Sequence, residues 1–127
     1  MADFQASKRS VGEVLESLEH VIAARKGSDS DRSYTARLLA GGVVAAGAKV
    51  TEEADEFVRA VAGEADDRVV SEAADLLYHV LVLLACRDVS LAQVEAELAR
   101  RFGVSGLDEK AARTGGGAVR ATGGGER

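Results

Sequence analysis

The sequence predicts an all-α protein, and three observations carry that prediction. Aromatic residues, which favour strands, make up only 4% of the chain, and proline is absent. Apolar residues recur at intervals of three and four rather than two, which is the periodicity of an amphipathic helix. We therefore expect a bundle of about five helices. Because a chain of 127 residues gains core by association, we expect dimerisation to complete the bundle.

Capping residues indicate where these helices begin and end. Ser10 with Glu13 and Ser90 with Gln93 both form the capping-box pattern, which opens a first and a last helix. The pair Gly41–Gly42 predicts a break, because glycine commonly ends a helix. The predicted helices span residues 11–26, 33–42, 43–62, 67–87 and 90–102.

Composition divides the chain into two parts. Residues 1–109 are expected to form the helical domain, and the glycine-rich, basic segment 110–127 is expected to be a disordered tail. The whole chain has a net charge of −5 and the tail carries +3, so the domain carries −8. Such a domain has no general attraction for nucleic acid or anionic membrane, and it would need a cation to bind a polyphosphate.

The sequence also predicts a cytoplasmic protein. The N-terminus lacks the apolar core of a signal peptide, and the longest apolar run, residues 80–86, is too short to span a bilayer. The single cysteine, Cys86, cannot form an internal disulfide and suits a reducing compartment.

The stretch TEEADEF on the predicted third helix concentrates four acids. Helical geometry places Asp55 on the solvent side, with Glu52 also nearer solvent. Glu53 and Glu56, three residues apart, line one edge of the apolar stripe together with Lys49. The stripe itself is predicted to consist of Val50, Ala54, Phe57, Val58 and Val61.

The predicted fourth helix is apolar almost throughout, yet Glu72, Asp75 and His79 share one narrow strip of it. Acids on a largely buried helix are costly unless they are paired or bind a metal. Two antiparallel helices with such acid pairs would bring four carboxylates together, and oxygen ligands without cysteine favour Mg²⁺, with Mn²⁺ as a substitute. The alternative is that these acids form structural ion pairs with Arg68, Lys49 or His79.

Four segments of the sequence, two of which contain these acids, resemble a known family of enzymes. The acids occur as E-E-x-x-E and, after fifteen residues, E-x-x-D. The four segments are SYTARLL at 33–39, KVTEEADEF at 49–57 and EAADLLYHVLVLL at 72–84, the last two of which contain these acids, and VSLAQVEAELARR at 89–101. Together these segments resemble the phosphoribosyl-ATP pyrophosphohydrolases of histidine biosynthesis, which belong to the MazG-like all-α pyrophosphohydrolases. The resemblance implies a magnesium-dependent, dimeric helical enzyme that converts phosphoribosyl-ATP to phosphoribosyl-AMP and pyrophosphate.

The resemblance also implies roles for individual residues. Glu53, Glu56, Glu72 and Asp75 would be metal ligands, and Glu52 would be a further ligand or would orient water, so that Glu52 and Glu53 are the candidate catalytic residues. Candidate contacts to a small-molecule nucleotide are Arg25, Lys26, Ser33, Tyr34, Lys49 and His79. For His79, a hydrogen bond to Asp75 is the alternative to direct contact with the substrate.

Two other functions remain open at this point. A house-cleaning nucleoside triphosphate pyrophosphohydrolase would use the same acids on other nucleotides. A helical interaction module without enzymatic activity would not need the acids at all.

Overall fold

The computed structural model describes residues 10–103, and this part of the chain is helical without any strand. The helices are α1 (Val11–Arg25), α2 (Tyr34–Gly63), α3 (Asp66–Cys86) and α4 (Leu91–Phe102). The chain divides between Val89 and Ser90 into one unit that contains α1 to α3 and a second that contains α4. The all-α class is confirmed for the described residues, which form four helices where five were predicted. The predicted tail at 110–127 lies outside the described residues.

Both predicted capping boxes are present. The hydroxyl of Ser10 accepts a hydrogen bond from the amide of Glu13, and the Glu13 carboxylate accepts one from the amide of Ser10. Ser90 and Gln93 make the same reciprocal pair at the start of α4. These bonds satisfy amide groups that have no partner within the helix, which explains why the predicted starting points are accurate.

The helix count differs from the prediction because α2 continues past the two glycines. Gly42 has φ 70° and ψ −158°, a conformation that is not helical and that is essentially restricted to glycine. The predicted break between two helices is therefore a kink within α2.

This kink decides which residues become neighbours. Tyr34 and Glu53 are 19 residues apart, so a straight helix would separate them by about 28 Å. Tyr34 nevertheless bonds to His79, which lies only seven residues, about 10 Å along the helix axis, from Glu72. The kink at Gly42 thus turns the first part of α2 back onto α3, close to the acids.

Packing between α2 and α3 forms most of the first unit, and α1 contacts both helices. The buried positions of α2 include Ala46, Glu53 and Ala60, at intervals of seven residues. The predicted stripe is wrong in part, because Val58 and Val61 are 64% and 58% exposed. The small side chains of Ala46 and Ala60 let α3 pack closely against the edge of α2 that carries Glu53. Val58 and Val61 therefore lie outside the contact between the two helices.

Helix α3 is long and apolar enough to cross a membrane when only its length and composition are considered. The core helix of a soluble protein meets the same criterion, and α3 packs along α2 with Glu72 and His79 buried. The apolar stretch is therefore longer than the run at residues 80–86 that the sequence analysis singled out. A cytoplasmic location remains a prediction.

Candidate metal centre

Acidic side chains of α2 and α3 form two overlapping groups. Glu52, Glu53 and Glu56 each offer a carboxylate oxygen within 4.8 Å of the others, and so do Glu53, Glu72 and Asp75. Oxygens bound to one Mg²⁺ at about 2.1 Å can be at most about 4.2 Å apart, so small side-chain rotations would suffice for joint coordination. Glu53 belongs to both groups and lies at their centre. The four predicted ligands are thus brought together.

The two most buried acids of this cluster lack complete hydrogen bonding. Among the described residues, Glu53 Oε1 and Glu72 Oε1 are the buried side-chain oxygens without a hydrogen-bond partner. A buried polar atom left without a partner typically costs about 1 to 3 kcal/mol. Two such oxygens on facing helices are what a cation site requires, so these residues fit a metal ion.

The other oxygen of each buried acid is paired with a cation from its own helix. Lys49 Nζ lies 3.4 Å from Glu53 Oε2 and 3.3 Å from Glu52 Oε1. Arg68 donates a short hydrogen bond to Glu72 Oε2 and also contacts Glu64. The ion pairs considered as an alternative to metal binding are therefore present for Lys49 and Arg68. They leave the Oε1 atoms of Glu53 and Glu72 without partners, so ion pairing does not account for the whole cluster.

Charge repulsion is evident at Glu56. The nearby charge of Glu53, together with partial burial and the charge of Glu72, raises the pKa of the Glu56 carboxyl above its ordinary value of 4.5. Burial tends to lower the pKa of Lys49, but its bond to Glu52 and its electrostatic interactions with Tyr34 and Glu52 raise it overall. Both shifts follow from an excess of negative charge at one place, a condition that favours binding of a divalent cation.

The remaining acids of TEEADEF lie where the helical geometry predicts. Asp55 is exposed and pairs with Arg59 on the solvent side of α2. Glu52 has a side chain that is 55% exposed and contacts Lys49, so it lies at the rim of the cluster.

A group of ring side chains connects the start of α2 to the middle of α3. Tyr34 and His79 are joined by a hydrogen bond of 3.0 Å, and Thr35 makes a short bond to the hydroxyl of Tyr78. The rings of Tyr34 and Tyr78 stack with centroids 6.4 Å apart, and that of Tyr78 meets His79 edge-on at 4.8 Å. We call Tyr34, Tyr78 and His79 the ring cluster. Its contacts hold Tyr34 and His79, both predicted to bind nucleotide, in place beside the acids.

Three other predicted substrate contacts lie elsewhere or have local partners. Lys26 Nζ donates to the carbonyl of Ala85 at 2.8 Å and to Asp88 at 2.7 Å, so it caps the end of α3. Ala85 is ten residues beyond Asp75, about 15 Å along the helix. Arg25 is exposed at the end of α1, and Ser33 caps α2 by accepting a bond from the amide of Ala36.

Tyr78 is not among the site residues predicted from the sequence, and its hydroxyl bonds to Thr35. No spacing rule could have revealed this pair, because 43 residues and a kink separate the two side chains. The Arg68 to Glu72 pair, in contrast, has the i, i+4 spacing that identifies helix ion pairs.

These features define an all-α protein with a candidate site for a hard cation and an anionic ligand. The site consists of buried carboxylates on the antiparallel helices α2 and α3, and the kinked segment with its ring side chains lies beside them. The model of the phosphoribosyl-ATP pyrophosphohydrolase family matches residues 15–102, and the chain belongs to that family. The resemblance inferred from the four sequence segments is confirmed.

Individual relatives agree with this assignment. A phosphoribosyl-ATP pyrophosphatase of Dinoroseobacter shibae is 56% identical over 101 residues, which cover 79% of this chain and 98% of the relative. One of Parvibaculum lavamentivorans is 58% identical over 99 residues, covering 78% and 91% of the two chains. One of Trichlorobacter lovleyi is 54% identical over 100 residues, covering 79% and 93%.

Proposed function

We propose that this protein hydrolyses phosphoribosyl-ATP to phosphoribosyl-AMP and pyrophosphate in histidine biosynthesis. The proposal rests on the family to which the chain belongs and on relatives that carry the name phosphoribosyl-ATP pyrophosphatase. The observation in the structure that carries it is the meeting of Glu53, Glu72 and Asp75 around two buried oxygens without partners.

We assign Mg²⁺ to this cluster, with Mn²⁺ as a substitute, because hard cations prefer carboxylate oxygens and share phosphate ligands with nucleotides. Glu53, Glu56, Glu72 and Asp75 would hold the ion. When bound, Mg²⁺ would neutralise phosphate charge and polarise the anhydride that is cleaved.

The other residues of the site have complementary tasks in this proposal. Lys49 lies at the rim of the acid cluster with a half-buried side chain, where its charge can attract a phosphate oxygen. Glu52 is the exposed acid beside Lys49 and is suited to accept a proton from the attacking water. Ser33 and Tyr34 begin the segment that the Gly42 kink turns toward the acids, and we assign the nucleotide to that side.

Arg25 and Lys26 remain proposed phosphate or ribose contacts, but the structure supports them less directly. Lys26 is engaged at the end of α3, so a substrate phosphate would have to compete with Asp88 for its amine. Replacing Lys26 by methionine would test the assignment. A higher KM with unchanged thermal stability would support substrate contact, whereas a loss of stability alone would identify a helix cap.

We also propose that the enzyme is a homodimer. Among the described residues, most of the large apolar side chains that are exposed lie on α2 and α3, although packing between these two helices forms most of the first unit. A second copy would remove these side chains from water, at roughly 25 cal/mol for each Å² of apolar surface buried. The side chains are Val43, Val44, Val58, Val61, Val70 and Leu77.

Light scattering tests the dimer. The wild-type chain of 13.2 kDa should have twice that mass at micromolar concentration, and Val58→Glu with Val61→Glu should shift it toward monomer. Val21→Glu on α1 provides a matched control, since this valine is also exposed, at 48%. A stable wild-type monomer would refute the dimer.

Pyrophosphate release from phosphoribosyl-ATP tests the activity, with dUTP and dCTP as competing substrates. We expect magnesium-dependent turnover of phosphoribosyl-ATP and little turnover of the other two. Equal turnover of all three would favour a house-cleaning enzyme, which uses the same acids. Absence of turnover with every nucleotide, in the presence of bound metal, would favour the helical interaction module.

A further inference from the structure

Arg37 is the one cation of α2 and α3 that has no acidic partner among the described residues. The other three, Lys49, Arg59 and Arg68, each pair with an acid on their own helix. Arg37 is exposed near the start of α2, where the helix dipole disfavours a positive charge. Neither an ion pair nor the stability of the helix therefore accounts for a cation at this position.

The guanidinium of Arg37 is nevertheless held in place. Its Nη1 donates to the backbone carbonyl of Ser30 at 3.3 Å, and its Cζ lies over the ring of Tyr34, 5.9 Å from the centroid. A guanidinium has five N–H donors in one plane, and the carbonyl of Ser30 engages only part of this capacity. Arg37 thus presents an oriented, positively charged donor group to solvent.

Arg37 lies on the side of the site to which we assign the nucleotide. The ring that it covers belongs to Tyr34, which bonds to His79, and His79 is one helical turn, about 6 Å, from Asp75. Lys49, in contrast, contacts two of the acids directly. Since the metal ion and Lys49 are the proposed contacts of the cleaved anhydride, Arg37 is available to a different anionic group of the same ligand.

Phosphoribosyl-ATP carries such a group. Besides its triphosphate, this nucleotide has a phosphate on its second ribose, which ATP, dUTP and dCTP lack. A guanidinium suits phosphate oxygens because it can donate two parallel, charge-assisted hydrogen bonds to them. The exposed guanidinium of Arg37 therefore has the chemistry that recognition of this second phosphate requires.

We propose that Arg37 binds the phosphate of the phosphoribosyl group and thereby determines the preference for phosphoribosyl-ATP over simple nucleoside triphosphates. This inference rests on the proposed function for the identity of the substrate. It deepens that function by naming the residue that recognises the group by which this substrate differs from ATP. Tyr34 and the carbonyl of Ser30 are the partners that orient the guanidinium.

Binding of the reaction product tests the proposal without turnover. Calorimetry should compare phosphoribosyl-AMP with AMP on the wild type, on Arg37→Gln and on Arg59→Gln. The wild type should prefer phosphoribosyl-AMP, and Arg37→Gln should reduce this preference by about tenfold, since hydrogen bonds to a charged group are lost. Glutamine keeps an N–H donor for Ser30, so the melting temperature should change little. Arg59→Gln, exposed on the same helix, should keep the full preference.

Recognition of charge differs in two measurable ways from mere anchoring of the loop at Ser30. Added salt should reduce the preference of the wild type for phosphoribosyl-AMP, because exposed charges are screened, and should leave that of Arg37→Gln almost unchanged. Arg37→Lys retains the charge and should recover part of the preference. A wild-type preference that does not respond to salt, or an equal loss in Arg37→Lys and Arg37→Gln, would overturn the proposal.

Turnover separates this inference from the proposed function. Arg37→Gln should raise the KM for phosphoribosyl-ATP with a smaller effect on kcat, and it should leave the KM for ATP unchanged. If the wild type hydrolyses phosphoribosyl-ATP and Arg37→Gln keeps the full preference for phosphoribosyl-AMP, the inference fails and the proposed function stands. If the wild type releases no pyrophosphate, the proposed function fails, whereas a preference for phosphoribosyl-AMP that depends on Arg37 would still support the phosphate site.

Discussion

Glu53 on α2 and Glu72 on α3 face each other with carboxylate oxygens within 4.8 Å, although both residues are acidic and buried. Each has one oxygen paired with a cation and one without a partner. Two negative charges this close repel strongly where water is excluded. This pair of acids is therefore the basis of the proposed cation site.

Removing one carboxylate charge from this site should weaken metal binding. We expect Glu72→Gln or Asp75→Asn to lower Mg²⁺ affinity by at least about tenfold and to reduce pyrophosphate release accordingly. Titration calorimetry with Mg²⁺ alone provides the measurement. Asp55→Asn is the matched control, since Asp55 lies on the same acidic stretch but faces solvent. Equal loss in all three variants would point to general electrostatics instead of coordination.

Neutralising Glu56 should stabilise the metal-free protein. Its pKa is raised in the folded state by Glu53, by burial and by Glu72, so folding favours the protonated form. This contribution to stability is fully present below pH 4.5 and is lost as the pH rises through the folded-state pKa. In chelator at pH 7, Glu56→Gln should therefore melt at a higher temperature than the wild type.

The same comparison has two internal controls. The difference in melting temperature should vanish at pH values well below 4.5, where the wild-type carboxyl is also neutral. Saturating Mg²⁺ should stabilise the wild type more than the variant, because Glu56 is a proposed ligand. A wild type that is more stable than Glu56→Gln in chelator at pH 7 would contradict the repulsion.

Arg68 should compete with the metal for Glu72. Its guanidinium is bonded to Glu72 Oε2, and the nearby negative charge of Glu72 raises the pKa of Arg68 despite the opposing effect of burial. We expect Arg68→Gln to strengthen Mg²⁺ binding several-fold and to destabilise the metal-free protein. Arg59→Gln breaks an exposed pair of the same i, i+4 spacing and should do neither. Weaker Mg²⁺ binding in Arg68→Gln would identify the arginine as a support for Glu72.

The kink in α2 predicts opposite effects for two glycine substitutions. Gly42→Ala should destabilise the protein by about 1 to 3 kcal/mol, because its backbone conformation is essentially restricted to glycine. Gly47→Ala lies within the same helix, with open space at its Cβ position, and should be neutral or stabilising by up to about 1 kcal/mol. Denaturant unfolding measures both. A destabilisation of equal size would show that the kink is not the cause.

Much of the site could be predicted because it depends on local spacing. Glu53 with Glu56 and Glu72 with Asp75 are three residues apart on their helices, and helical geometry alone brings each pair to one side. The capping boxes at Ser10 and Ser90 are equally local. The family resemblance supported the same acids through the residues around them.

What could not be predicted depends on contacts between distant parts of the chain. The bond between Tyr34 and His79 requires the turn at Gly42, and a Gly–Gly pair indicates a break but not its angle. The buried edge of α2 was misjudged because Ala46 and Ala60 are weakly hydrophobic, whereas the larger Val58 and Val61 suggested a core. Small residues occupy the contact between α2 and α3 because they allow the two helices to approach closely.

Lys49 and Arg68, beside the acids, bear on whether the protein needs its proposed metal ion in order to fold. Because Lys49 and Arg68 already offset part of the charge on Glu53 and Glu72, we expect the polypeptide to fold without a bound ion. Chelation should then switch activity off without melting the helices, and returning the ion should restore it fully. In this respect the protein differs from zinc fingers, which unfold when their metal is removed. Under the proposed magnesium dependence, a cell short of magnesium would keep the enzyme folded and inactive until the ion returns.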